Sequence, residues 1–307
     1  MSPRLDRRTV LRGLAAAAAS PALPALAAAT PLAFLAVGDW GREGARSQRA
    51  VADAMARAAA EASGRFVLSV GDNFYPAGVA STQDSQWRTS FEDVYVQPAL
   101  QTPWYAALGN HDYRGEASAQ IAYGRAGGRW RMPHRYYVVE HPAGADLDIF
   151  VLDTTPMVAD YGEAVERLCR GHFSMPDPTP QLRWLHDRLA RSRASSKVVV
   201  GHHPIYSGGR HGGEPVLARD IGPLLETYAV NAYVCGHDHA LQHIQVGRTH
   251  HICSGAGSSA GEVADVGGTR FRAATPGFAL FQLTGARLEL TFRDADGRTL
   301  YEAPLAA

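Results

Sequence analysis

The chain of 307 residues is 46% hydrophobic, with 31 glycines and 18 prolines, a composition that can bury one sizeable core and that sets aside disordered and low-complexity classes. Thirty basic residues balance thirty acidic ones, and because the first 29 residues carry four arginines and one aspartate, the remainder is slightly acidic. A basic face for nucleic acid is therefore not expected.

In chain order, "DRRTVLRG" places Arg7 beside Arg8 and is followed by the apolar, Ala-rich "GLAAAAASPALPALAAA", which ends in small residues suited to cleavage near Ala27 or Ala29. Residues 1–29 resemble a twin-arginine (Tat) signal peptide, read by an export machinery that moves folded proteins. Delivery to the periplasm or the medium is the expectation. The apolar stretch runs on through "PLAFLAV", but Pro21, Pro24 and Pro31 interrupt it, so no stable span of the roughly 20 residues a membrane requires is expected after cleavage.

Five later segments share one pattern. "LAFLAVGDWG", "RFVLSVGDNFY", "PWYAALGNHDY", "KVVVGHHPIY" and "NAYVCGHDH" each pass from β-branched or aromatic residues into glycine and then present Asp, Asn or His. Apolar runs of this length predict strands buried on both faces. Helical patterns are expected at 43–62, 85–97, 179–192 and 216–228, the third with Thr179 as its cap ahead of Pro180. This alternation predicts a mixed or parallel sheet covered by helices on both sides. The polar clusters then lie at the carboxyl ends of strands, where open α/β sheets bind ligands. The tail "GFALFQLTGARLELTFRDADGRTLYEAPL" alternates apolar and polar residues and predicts a hairpin completing a second sheet. Of the three cysteines, Cys169, Cys235 and Cys253, the last two sit in apolar runs and read as small buried residues.

The pattern gathers Asp39, Asp72, Asn110, His202, His237 and His239 at one edge of one sheet. A core gains nothing from unpaired carboxylates and imidazoles, which are costly to bury. Oxygen and nitrogen donors without thiolate suit zinc, manganese or iron. They are too many for one tetrahedral ion, and two ions about 3.5–4 Å apart with a shared carboxylate fit the number better.

The set "GDWG", "GDNFY", "GNHD", "GHHP" and "GHDH" resembles the metallophosphoesterase superfamily and, within it, the purple acid phosphatases of the small tartrate-resistant type. The similarity continues through "FEDVY", "SAQIAY", "LLETYAVNAYVCGHDH" and "SGAG", roughly residues 32–257. For residues 30–307 the resemblance implies a metallophosphoesterase catalytic domain of α/β class, a four-layer α/β/β/α sandwich of two mixed β-sheets flanked by helices. It implies that Asp39, Tyr75 and His239 hold Fe(III), that Asn110, His202 and His237 hold a divalent ion (Fe, Zn or Mn), and that Asp72 bridges the two. A phenolate such as Tyr75 is the mark of this branch and the source of its colour.

The resemblance also implies catalytic roles. His111 would stabilise charge on the phosphoryl group, Asn110 and His202 would contact it as well, and His211 in "SGGRHGGEP" would protonate the leaving group, a task that suits an imidazole. Asp112 is expected to orient His111, and His203 is left without a role. The reaction implied is hydrolysis of phosphomonoesters by a metal-bound hydroxide. Alternatives are a phosphodiesterase of the same superfamily acting on cyclic nucleotides or lipid headgroups, a non-catalytic phosphate- or metal-binding protein, and peroxidation at the iron. In the resembled proteins a loop near 158–178 covers the site and is tied by a disulfide; here Cys169 stands in that region, but no cysteine lies near Val216 to pair with it.

Overall fold

A computed structural model describes residues 31–158 and 175–306. The signal-peptide reading of residues 1–29, and Cys169 with most of the covering loop, lie outside the described residues.

In chain order the strands are β1 (Leu32–Val37), β2 (Gly64–Val70), β3 (Trp104–Ala107), β4 (Trp130–Arg131), β5 (Tyr137–Glu140), β6 (Leu147–Val151), β7 (Ser196–Val200), β8 (Ala232–Cys235), β9 (Leu241–Val246), β10 (Thr249–Ser254), β11 (Thr269–Ala273), β12 (Gly277–Thr284), β13 (Arg287–Asp294) and β14 (Thr299–Pro304). The α-helices are α1 (Gln48–Ala62), α2 (Ala117–Arg125), α3 (Thr179–Arg191), α4 (Pro215–Asp220) and α5 (Gly222–Thr227). The strands form two seven-stranded sheets, ordered β14-β13-β12-β1-β2-β3-β4 and β11-β9-β10-β8-β7-β6-β5. Each is mixed: β1 to β4 run parallel with β12 antiparallel beside β1, and β6, β7, β8 and β10 run parallel between antiparallel β5 and β9.

The unbroken apolar runs have a direct cause in this layering. In β6, β7 and β8, Ile149, Val151, Val198, Val200, Ala232 and Val234 point into the core between the sheets, where Phe34 and Phe281 also lie. Their alternating neighbours Phe150, Val199, Tyr233 and Cys235 pack instead with Leu185 of α3, Leu217 of α4 and Leu225 of α5. With both faces buried, no position along the strand favours a polar residue. On the outer face of the first sheet, α1 packs Val51, Ala52, Met55, Ala58 and Ala59 inward. Helix, sheet, sheet and helix make the four-layer sandwich. Cys235 and Cys253 face each other in register across β8 and β10, buried, with both thiols free.

Several expectations drawn from local pattern are corrected. The site does not stand on one sheet: β1, β2 and β3 belong to the first, β7 and β8 to the second. The tail is a three-stranded meander that pairs through β12 with β1, and so extends the first sheet. Helix α1 begins at Gln48 because Glu43 and Arg46 both adopt left-handed backbone (φ 54°), in a turn tied by Gln48 Oε1, which accepts the N–H groups of Arg42 and Gly44 at 2.9 and 2.7 Å. The pattern at 85–97 yields one π-helical stretch, Trp87–Glu92. That at 216–228 breaks into α4 and α5 at Ile221. Thr179 is not the cap of α3; Asp177 Oδ1 accepts the Thr179 N–H at 2.9 Å.

Candidate metal centre

Three of the clustered residues share an unusual backbone. Asp39, Asp72 and His237, each directly after a glycine at a strand end, have φ of 60°, 49° and 70°. Left-handed backbone is unfavourable for residues with a Cβ and concentrates at functional sites. The strand is turned back at those points, so that the side chain is aimed along the carboxyl edge. Two glycines are there for close approach: a Cβ on Gly109 would stand 2.2 Å from Asp72 Oδ1, and one on Gly71 (φ 92°) would stand 2.5 Å from His202 Nδ1.

The side chains fall into two sets that meet at Asp72. In the first, the Tyr75 hydroxyl lies 3.0 Å from Asp39 Oδ1, 2.8 Å from Asp72 Oδ2 and 3.1 Å from His239 Nε2. A phenol has one proton to give, yet two carboxylates crowd its oxygen. In the second, His202 Nδ1 donates to the Val70 carbonyl at 3.0 Å, which leaves Nε2 as the lone pair of the neutral ring. That lone pair faces Asn110 Oδ1 at 3.2 Å, His237 Nδ1 at 3.2 Å and Asp72 Oδ1 at 3.4 Å. Asn110 Oδ1 and Asp72 Oδ1 can only accept, so acceptors crowd that nitrogen in a buried place; cations resolve such a group, and the mixed oxygen and nitrogen donors fit iron, zinc or manganese. Both sets are therefore able to hold an ion.

Electrostatics agree. Burial disfavours the Asp39 carboxylate, but His239, His202 and the Tyr75 hydroxyl outweigh it and hold the group below the ordinary carboxylate range. Burial also disfavours a charged His202, yet Asp72 and Asp39 pull it above the usual imidazole value, so positive charge is favoured at the Nε2 position that faces them. His237 is pushed well down by burial and then by His203 and His202, which keeps it neutral and able to ligate.

The neighbours hold these groups in place. The His111 ring is fixed through Nδ1, 2.7 Å from the Pro76 carbonyl, and its backbone N–H donates to Asp72 Oδ1 at 2.8 Å. Asp112 does not orient that ring. It is buried and accepts from Gly109 N–H at 2.8 Å, Asn73 N–H at 3.1 Å and Gln120 Nε2 at 2.8 Å, binding the "GDNFY" turn to the "GNHD" turn. Burial and then Asp72 push its carboxyl up to about 7. His211 is exposed at the rim, its ring centroid 4.4 Å from that of His237. Its loop is tied to the "GHDH" turn by Asp238, which accepts from the His211 N–H at 2.9 Å and from the Ser207 hydroxyl. Thr154 Oγ1 accepts from His202 and His203 N–H at 3.2 and 3.1 Å and lies 2.9 Å from His203 Nδ1, so buried His203 belongs to the wall of the site. Beneath Asp39 and Asp72, Trp40 donates to Ser69 Oγ at 2.8 Å and packs on Phe74, Tyr95 and Trp104 with centroids 5.4 to 5.9 Å apart. The sequence pattern pointed to none of Asn73, Thr154, Asp238 or Ser258; a polar residue inside an otherwise apolar or Gly-rich turn is the signal they share.

Residues 32–241 match the calcineurin-like phosphoesterase family. Tartrate-resistant acid phosphatase type 5 of Homo sapiens is 36% identical over 308 residues, which cover 92% of this chain and 94% of the relative. Purple acid phosphatase 7 of Arabidopsis thaliana is 36% identical over 285 residues, 90% of this chain and 86% of the relative. In fold, the chain is similar to GAP50, the anchor in the inner membrane complex of Plasmodium, with a TM-score of 0.78 at 24% identity, over 90% of this chain and 89% of that one. The chain belongs to the calcineurin-like phosphoesterase family, in its purple acid phosphatase branch.

Proposed function

We propose that this protein hydrolyses phosphomonoesters with the help of two metal ions: Fe(III) held by Asp39, Tyr75 and His239, and a divalent ion (Fe, Zn or Mn) held by Asn110, His202 and His237. The observation that carries the reading is the division of Asp72, whose Oδ2 lies 2.8 Å from the Tyr75 hydroxyl and whose Oδ1 lies 3.4 Å from His202 Nε2, one oxygen for each set. Such a pair, when bound, polarises phosphoryl oxygens and supplies a water acidic enough to act as nucleophile.

The chain's own groups bind and orient around that pair. With His111 Nδ1 committed to Pro76, its Nε2 is left to face a phosphoryl oxygen over the site. Asn110 and His202, in contact at 3.2 Å, would contact it as well. His211, exposed at the rim, stands beside His237, where a leaving group would depart. A diesterase would be favoured by a His211 turned away from a wide cleft, so this position supports the monoesterase.

Metal analysis and a visible spectrum test the reading. Stoichiometric iron with a pink to purple band is expected, and Tyr75→Phe should remove the band while far-UV circular dichroism stays the same. A colourless wild type that contains iron refutes it. We further propose export through the Tat machinery on the strength of the Arg7–Arg8 pair, with periplasmic or extracellular delivery; no helix among the described residues is long and apolar enough to cross a membrane. Replacing both arginines by lysine should retain the protein in the cytoplasm, and equal export of that variant would refute the address.

A further inference from the structure

Arg42 lies in the turn between "GDW" and α1 and is held at two points. Its N–H donates to Gln48 Oε1 at 2.9 Å, its Nε donates to Ser258 Oγ at 3.0 Å, and the Ser258 hydroxyl donates to the Asp39 carbonyl at 2.5 Å. The half-buried guanidinium is thereby set 3.6 Å from the centroid of the Tyr75 ring, well within the range of a cation–π contact. His111 packs on the same ring with centroids 4.4 Å apart. At the other end of that ring, the phenol oxygen meets Asp39 and Asp72, and both oppose negative charge on it.

Resting on the two-metal reading, we propose that Arg42 is a positioning residue for Tyr75: its guanidinium fixes the ring so that the phenol oxygen meets Asp39, Asp72 and His239, and it draws electron density from the ring, making Tyr75 a weaker donor to a ferric ion. Two separate observations support this. The contact is anchored to the backbone of Asp39, itself a member of the same set. The guanidinium takes no carboxylate hydrogen bond among the described residues and instead spends its face on the ring.

The consequence is read from colour and not from rate. In iron-loaded protein, stabilising the ring's electrons moves its charge-transfer band to shorter wavelength. Arg42→Gln keeps a planar group but removes the charge, and Arg42→Lys keeps the charge but removes the plane. At equal iron content, Arg42→Gln should move the band to longer wavelength by roughly 10–20 nm, and Arg42→Lys should recover most of that shift. Loss of iron from Arg42→Gln alone supports the positioning of the ring, because a stronger donor correctly placed would hold iron more tightly. A band left in the wild-type position by Arg42→Gln overturns the proposal, as does an equal shift, or equal iron loss, in both variants. A wild type that binds iron without colour overturns the two-metal reading and this proposal with it, whereas the other failures leave that reading intact.

Discussion

Two buried histidine clusters in this protein behave in opposite ways. At the carboxyl edge, the His202 lone pair faces Asn110 Oδ1, Asp72 Oδ1 and His237 Nδ1. Between β9, β10 and β14, the hydrogen bonds instead run in one direction: the Tyr301 hydroxyl lies 3.1 Å from His243 Nδ1, His243 Nε2 lies 2.8 Å from His250 Nδ1, and His250 Nε2 lies 3.1 Å from the Ala306 carbonyl. Because a carbonyl only accepts, His250 Nε2 carries a proton, and each preceding link follows as donor to acceptor. The second cluster is complete with neutral rings; the first needs positive charge. Counting donors against acceptors, and not counting histidines, separates a ligand site from a structural network.

The comparison breaks most visibly at His202. His202→Ala should abolish occupancy by the divalent ion and lower the hydrolysis rate by on the order of 10⁴ or more, since Lewis acid and nucleophile are lost together. His243→Gln should leave metal content and rate at wild-type values. Elemental analysis beside a rate on nitrophenyl phosphate decides it, and equal losses in the two variants would erase the distinction.

A smaller effect is expected at His211, which touches the first cluster without belonging to its donor set. His211→Ala should keep both metals and lose about 10²–10³ in rate on an alkyl phosphate, within the range of general acid catalysis. On nitrophenyl phosphate, whose phenolate leaves unaided, the loss should be slight. Equal loss on both substrates would make His211 a binding group and send the proton to another donor.

The smallest effect sharpens the second cluster. Burial first, then His250 and Arg270, lower His243 to about 3, and burial lowers His251 to about 4. An unfolded histidine titrates near 6.5. Between that pH and about 3 the unfolded chain binds protons that the folded chain refuses, so the stability contribution is present above about pH 6.5 and is lost as pH falls through the window. His243→Gln removes one such ring and should lessen the loss of stability between pH 7 and pH 4 by on the order of 2 kcal/mol. Urea midpoints at the two pH values measure it, and parallel losses in wild type and variant would remove His243 from the explanation.

The five strand ends were legible because each is a local event: an apolar run, a glycine, a polar side chain. Which strand joins which sheet was not, because pairing is decided by contacts far apart in sequence; β12 finds β1 across more than two hundred residues. For the same reason the tail's alternation showed strands without showing their partner. The ligand candidates are visible by residue type, whereas the groups that hold them are not. Asp112 looks like a partner for adjacent His111, yet its carboxylate turns inward to Gly109, Asn73 and Gln120. Thr154, Asp238 and Ser258 act through hydrogen bonds to turns that only the folded chain brings near them.

The left-handed backbone at Asp39, Asp72 and His237 bears on the life of the protein before it acquires its ions. Each such position costs of order 1 kcal/mol or more, and without cations the crowded acceptors add to that cost. The freshly made chain therefore stands closer to unfolding than the loaded one, and any ion bound only by the folded form raises stability by mass action. Where metal is scarce during biogenesis, fewer molecules are then expected to survive proteolytic surveillance.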